Sequence, residues 1–241
     1  MNNLMVVIVL AVIGMILQGV FIAVEHRDKF VAAVVLKGTA ALLFVIIGFM
    51  GYKNLLDLAG DSQANSLGGL TKSICLMISL GLFFGMLGDV ILALRFVFTS
   101  ITPKLFLTGT VVFFIGHIMY MVALIPMCEN LIICILIGTV AAAVILIIMF
   151  KLIEVKTVFI IFGCVYIEAV VVMTAISIGN RIAVNSAFRT WFAVGAVLFT
   201  ISDIVMIYNS FGKKQNFFLR IMNLSLYYIG QLLIATSLFF V

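Results

Sequence analysis

The chain has 241 residues, 66% of them hydrophobic and 10% charged, with a mean hydropathy of +1.39. No soluble domain of this size needs so much apolar surface, so the solvent is a bilayer; two prolines and 22 phenylalanines fit long helices and argue against the short alternating strands of a β-barrel. The net charge of +5 is spread over short loops, with no basic tail for nucleic acid, and no linker or low-complexity segment marks a second domain, so residues 1–241 read as a single integral membrane domain.

A hydrocarbon core about 30 Å thick takes about 20 helical residues to cross. Apolar runs of that length fall at 4–24, 30–52, 71–94, 104–126, 130–150, 157–178, 188–208 and 219–240, which predicts an all-α polytopic protein of eight transmembrane helices. The first run follows Met1-Asn2-Asn3, with no positive charge, and is too long for a signal peptide, so it is expected to be the first membrane helix. The odd-numbered loops hold Arg27, Lys29, Arg95, Lys104, Lys151, Lys156, Lys213, Lys214 and Arg220; the even-numbered loops hold Lys53, Lys72, Arg181 and Arg189. Nine against four favours odd loops in the cytoplasm and both termini outside, in a bacterial-type cell membrane.

In chain order, helix 2 carries Lys37 well inside its apolar run, where it either snorkels to loop 1, pairs with an acid or binds a phosphate. Helix 3 holds Gly81, Gly85 and Gly88 on one side, a spacing suited to close helix packing, followed by Asp89. Helix 4 places His117 and Tyr120 on one face. Helix 6 carries Glu168 near its middle, either a cavity acid or a satisfied buried one. Helix 7 holds Ser202-Asp203, and helix 8 holds Tyr227, Tyr228 and Gln231, again on a shared face. Four cysteines (Cys75, Cys128, Cys134, Cys164) show no CxxC spacing and read as small buried hydrophobes.

An ionised carboxylate in hydrocarbon costs at least about 2.5–3.5 kcal/mol, so Asp89 and Asp203 are expected to be used. They lie 114 positions apart, and the same offset aligns Gly81 with Gly195 and His117 with Gln231 without a gap. Helices 3–4 and 7–8 therefore read as a parallel repeat, related by an axis along the membrane normal. Each aspartate lies about five residues before the expected end of its helix, about 8 Å below the odd-loop surface. With Lys37, His117, Tyr120, Tyr227, Tyr228 and Gln231 at similar or middle depth, one polar cavity open toward the odd loops is expected.

Two carboxylates in one cavity can divide into a general acid and a general base. Two histidines in the whole chain, His26 and His117, differ in depth and cannot assemble a three-histidine zinc site, and no nucleophile elbow, Walker loop or GxGxxG is present. No cofactor, no metal and no obligate protein partner is expected.

The ordered set Gly88-Asp89, His117-x-x-Tyr120, Ser202-Asp203 and Tyr227-Tyr228-x-x-Gln231 resembles the YhhN-like lysoplasmalogenase family. The lysine of helix 2 also matches in position, although Gly38 follows it where the family usually has proline. The resemblance spans roughly helices 2 to 8. It implies a metal-independent hydrolase of the vinyl-ether bond of lysoplasmalogens, yielding a fatty aldehyde and a glycerophospho-alcohol. Asp89 and Asp203 would be the catalytic pair, supported by Lys37, His117, Tyr120, Ser202, Tyr227, Tyr228 and Gln231. The substrate would be a single-chain ether phospholipid drawn sideways from the bilayer, with Lys37 a candidate for holding its phosphate. The competing expectation is a lipid or small-molecule transporter with a proton-coupled midplane site.

Overall fold

The computed structural model describes residues 2–60, 66–153 and 157–241. Its helices are α1 (Asn2–Glu25), α2 (Phe30–Gly60), α3 (Ser66–Leu94), α4 (Thr102–Leu124), α5 (Leu131–Leu152), α6 (Thr157–Ala183), α7 (Ala187–Phe211) and α8 (Phe217–Ser237). All eight are long and apolar enough to cross a membrane. Among the described residues the one β-type contact is an isolated bridge between Ile153 and Gly212. A helix satisfies its own backbone in hydrocarbon, which is why long apolar runs settle on this element.

The helices outlast the apolar runs that predict them: α2 continues to Gly60, α6 to Ala183 and α7 to Phe211. Hydropathy locates the bilayer rather than the end of the hydrogen-bonded ladder, and polar residues such as Asn209 and Ser210 propagate a helix that has already nucleated. Asp203 consequently lies eight residues from the end of α7, not the expected five. Starts are marked by local chemistry. Ser186 Oγ accepts from Arg189 N–H, Asn216 Oδ1 accepts from Phe218 N–H, and Pro103 occupies the first turn of α4. Lys156 lies outside the described residues.

Six helices close into a ring, in the order α2, α3, α4, α6, α7, α8 and back to α2. α1 lies outside the ring against α2 and α8, and α5 lies outside against α6. These two peripheral helices are also the most apolar and the least buried, as lipid-facing helices should be. The contacts of one half recur in the other: α1 on α2 with α5 on α6, α2 on α3 with α6 on α7, α3 on α4 with α7 on α8, and α4 on α6 with α8 on α2.

The two tightest crossings, α3 on α4 and α7 on α8, are made by glycine pairs. A Cβ on Gly81 would stand 3.0 Å from the Gly116 carbonyl, and one on Gly116 equally close to the Gly81 carbonyl. In the second crossing, a Cβ on Gly195 would stand 2.7 Å from the Gly230 carbonyl, and one on Gly230 2.8 Å from that of Gly195. Gly116 and Gly230 are related by the same offset as Gly81 and Gly195. With no hydrophobic force between helices in lipid, such backbone approach supplies the van der Waals contact that holds them. Buried polar links add to it: Asn180 Nδ2 donates to the Leu124 carbonyl, Gln18 Nε2 to that of Leu224, and Thr174 bonds Thr200.

Candidate active site

The ring has a polar centre toward its odd-loop end. Lys37 of α2 reaches Asp89 of α3, with Nζ 2.8 Å from Oδ1. Tyr227 of α8 donates to the other carboxylate oxygen of Asp89 at 2.8 Å. Across the same cavity, Tyr166 of α6 donates to Asp203 of α7 at 2.5 Å. All five side chains are at least nine-tenths buried. The cavity between them has a volume of about 30 Å³, room for one or two waters, and is completed by Leu92, Arg95, Phe113, Met206, Arg220, Asn223 and Leu224.

The two carboxyls thus have unlike partners. Asp89 pairs with an ammonium and accepts from a phenol; Asp203 accepts from a phenol and, among the described residues, forms no ion pair. Lys37 takes the pairing option among those the sequence leaves open, so it is engaged rather than free for a phosphate.

The remaining expected site residues divide. Behind Tyr227, Gln231 and Tyr120 form a second layer: Tyr120 Oη donates to Gln231 Oε1 at 2.9 Å, and the Gln231 amide and the Tyr227 hydroxyl both face Gly85. His117 lies in this layer, its Nδ1 2.7 Å from the Phe113 carbonyl and its ring edge-on to Tyr166, Tyr120 and Phe199. The carbonyl makes Nδ1 the protonated nitrogen, leaving Nε2 as a buried acceptor without a hydrogen-bond partner. Two expected residues turn away. The Tyr228 hydroxyl donates to the Ala40 carbonyl and lies where any Cβ on Gly14 would clash, so it locks α8 to α2 and α1. Ser202 Oγ donates to the Asn223 carbonyl while Asn223 Nδ2 returns to the Ser202 carbonyl, a clasp between α7 and α8.

Glu168 does not join the cavity. It accepts from Thr139 Oγ1 of α5 at 2.7 Å and lines a shallow apolar groove on the outer surface. Tyr166 is the partner that sequence reasoning missed. Two residues from Glu168, it points to the opposite side of the same helix. The usable signal was its type: Tyr120, Tyr166, Tyr227 and Tyr228 are four of the six tyrosines, and each buries its hydroxyl within a membrane helix.

Two further spaces adjoin the cavity. One is an apolar groove between α4, α5, α6 and α7, lined by Phe106, Leu146, Met149, Ile160, Gly163 and Ile207, and by the Tyr166 and Met206 that also line the cavity. Phe150 and Phe162, exposed on the lipid-facing surface, stand along it. The other is a vestibule of about 680 Å³ at the odd-loop end. Arg95 and Arg220 line both it and the cavity. Arg220 is held by Glu25 in a two-pronged pair at 2.7 and 3.0 Å, and the Arg95 guanidinium lies 4.8 Å from the Phe96 ring centre and 5.3 Å from that of Phe106. Burial, then the neighbouring Arg220, push Arg95 down to about 10, with Glu25 opposing; it stays ionised at neutral pH. Among the described residues no three of His, Cys, Asp and Glu converge to hold a metal ion.

These features define a polytopic α-helical membrane protein with an enclosed, unlike pair of carboxyls, flanked by an apolar groove on one side and a vestibule at the loop end. The chain belongs to the YhhN family, whose pattern it matches over residues 61–238; that stretch contains both aspartates, while Lys37 lies ahead of it. No curated protein and no solved structure matches the chain.

Proposed function

We propose that the protein is a membrane lysoplasmalogenase-like hydrolase, cleaving the vinyl-ether bond of a single-chain ether phospholipid with Asp89 and Asp203. The observation that supports this reading is the unlike partnering of two carboxyls around one small polar cavity, flanked by an apolar groove and a vestibule that share lining residues with it. The alkenyl chain would occupy the groove, the vinyl ether the cavity and the headgroup the vestibule.

Asp89, against an ammonium, serves as the standing carboxylate. Asp203, with no ion-pair partner among the described residues, is the group suited to carry a proton. Asp203 delivers that proton to the outer carbon of the C=C bond, whose π pair forms the new C–H bond; the carbon bearing oxygen is left electron-deficient and is stabilised as an oxocarbenium ion by a lone pair of the ether oxygen. Asp89 stabilises this cation electrostatically and accepts a proton from the cavity water as its oxygen bonds that carbon. The hemiacetal then breaks its bond to the glycerol oxygen; its hydroxyl proton returns to Asp203 as the aldehyde forms, and the proton on Asp89 passes to the departing alkoxide. One water is consumed and both carboxyls regain their starting states. Neither redox chemistry nor an external cofactor enters this balance.

The matching contacts of the two halves favour a second reading, a carrier that rocks about its midplane. Against it, the even-loop half of the ring is filled by Tyr120, Leu124, Phe188 and Phe192. The test uses purified protein in lipid nanodiscs with a lysoplasmenyl-ethanolamine, aldehyde being followed by a coupled dehydrogenase. Release of aldehyde by wild type and its loss in Asp89→Asn and in Asp203→Asn, both folded, are expected. Full turnover in either variant ends the two-carboxyl mechanism. Substrate accumulation in liposomes under a pH gradient without chemical change makes the protein a carrier.

A further inference from the structure

The cation at the mouth of the cavity has no anion of its own. Lys37, Arg95 and Arg220 face the site; Lys37 is paired with Asp89 and Arg220 with Glu25. No carboxylate pairs with the Arg95 guanidinium among the described residues. Asp28, the other acid of the vestibule, is at its exposed rim in the turn between α1 and α2. When Asp203 carries a proton, the three cations oppose only Asp89 and Glu25, and a single positive charge remains, on Arg95.

The setting of that charge separates it from an arginine that merely reaches for bulk lipid headgroups. Arg95 is partly buried inside the ring, against Phe96 and Phe106, and its side chain forms part of the wall between the cavity and the vestibule. Cation–π contact fixes the plane of the guanidinium without using its N–H donors. Arg220, whose guanidinium lies 5.5 Å from the same Phe96 ring, keeps a second positive group alongside. A pre-oriented, unpaired fork beside a fixed second cation is suited to a singly charged phosphodiester oxygen pair.

We propose that Arg95, with Arg220 beside it, forms a phosphate-binding subsite at the mouth of the cavity that holds the phosphodiester of a single-chain lipid. The assignment rests on the functional reading above and adds to it the group that fixes the headgroup, a role the ion pair to Asp89 takes away from Lys37. The glycerol backbone then bridges the mouth, which keeps the ether bond next to the two carboxyls. Arg95 is accordingly a residue of substrate choice: it separates phosphate-bearing ether lipids from neutral ones.

The experiment measures binding, so its outcome does not depend on turnover. Full-length protein in nanodiscs is titrated calorimetrically with a saturated 1-O-alkyl-glycerophosphoethanolamine, which has no vinyl ether to cleave, and with the 1-O-alkylglycerol of the same chain. Glycerol 3-phosphate and inorganic phosphate are tested alone. Wild type should prefer the phospholipid by about tenfold to a hundredfold, the scale of charge-assisted hydrogen bonds. Arg95→Gln should remove most of that preference while binding the alkylglycerol as wild type does, and Arg95→Lys should keep part of it. The unchanged alkylglycerol affinity serves as the control for folding. Binding of the lipid alone identifies a headgroup site; binding of inorganic phosphate at the same strength, also lost in Arg95→Gln, identifies a site for free phosphate, which overturns the lipid assignment. An undiminished preference in a folded Arg95→Gln protein overturns the subsite altogether. Hydrolysis can fail in the separate aldehyde assay while this preference stands, so the two failures are distinguishable.

Discussion

Replacing Lys37 with methionine leaves Asp89 buried without its ammonium, and the cost can be worked from the geometry. The two charges are 2.8 Å apart and both side chains are less than a tenth exposed. At an effective dielectric of about 20 their attraction is about 6 kcal/mol, and removal of one member of a buried pair costs about 3–5 kcal/mol in practice, because the survivor relaxes or takes up a proton. Tyr227 still donates to Asp89 and does not replace the lost charge. Lys37→Met should therefore lower unfolding stability by about 3–5 kcal/mol, measured by denaturant titration in mixed micelles, and lower kcat for aldehyde release by about a hundredfold or more as the carboxylate loses its charge. The pair requires a further result. Lys37→Met combined with Asp89→Asn should cost at least about 2 kcal/mol less than the two single changes added together, since no uncompensated charge then remains. Additive stabilities within about 0.5 kcal/mol, or a Lys37→Met enzyme with wild-type turnover, would refute the claim that this ion pair sets the charge of Asp89.

Tyr166→Phe removes the hydroxyl that donates to Asp203 and should slow kcat by about tenfold to a hundredfold with a smaller change in KM, read by the same aldehyde assay. Gly163 lines the apolar groove with nothing within 4 Å of an added Cβ, so Gly163→Trp should raise KM for long alkenyl chains well above that for short ones; equal effects on both would place the chain elsewhere. Gly195→Ala should cost about 1–3 kcal/mol in thermal or denaturant unfolding, because its Cβ meets the Gly230 carbonyl at 2.7 Å and the α7–α8 crossing must widen, while Gly163→Ala should be neutral or slightly stabilising. Glu168→Gln keeps an acceptor for Thr139 and should leave turnover within about twofold of wild type, as a residue outside the cavity should.

Much of the fold could be read from hydropathy because lipid enforces one rule on every segment, that the backbone must satisfy itself. Eight runs became eight helices, and the two aspartates met at one cavity because a charge kept in hydrocarbon needs a polar neighbour. What escaped the reading was orientation about each helix axis. Tyr227 and Tyr228 are adjacent in the chain, yet one faces Asp89 and the other the Ala40 carbonyl, and nothing in two neighbouring tyrosines says which is which. Ser202, next to Asp203, is spent on Asn223 for the same reason. In the sequence Arg95 and Arg220 read only as loop charges that bear on topology. Their place at the cavity mouth depends on the vestibule that several loops build together, which no single segment encodes. Gly116 and Gly230 look ordinary in the sequence, because the role of each depends on its partner glycine on the facing helix.

The asymmetry needed for an acid and a base does not come from where the aligned helix pairs first suggest it. His117 and Gln231, the mismatched partners at the 114-residue offset, both sit in the second layer and neither bonds an aspartate. The difference comes instead from the helices that precede each aspartate-bearing helix. α2 supplies a lysine to Asp89 on α3; α6, in the corresponding place of the ring, supplies a tyrosine to Asp203 on α7. A cation beside one carboxyl and a neutral phenol beside the other is the asymmetry on which the proposed division into base and acid rests, with the same helix contacts on both sides. Tyr227 then crosses from α8 to Asp89, so the two halves share one polar centre instead of forming two independent sites. On this view, exchanging the partners by Lys37→Tyr with Tyr166→Lys should move the standing carboxylate to Asp203. Such a variant, once shown to be folded, should hydrolyse the substrate faster than Lys37→Met alone.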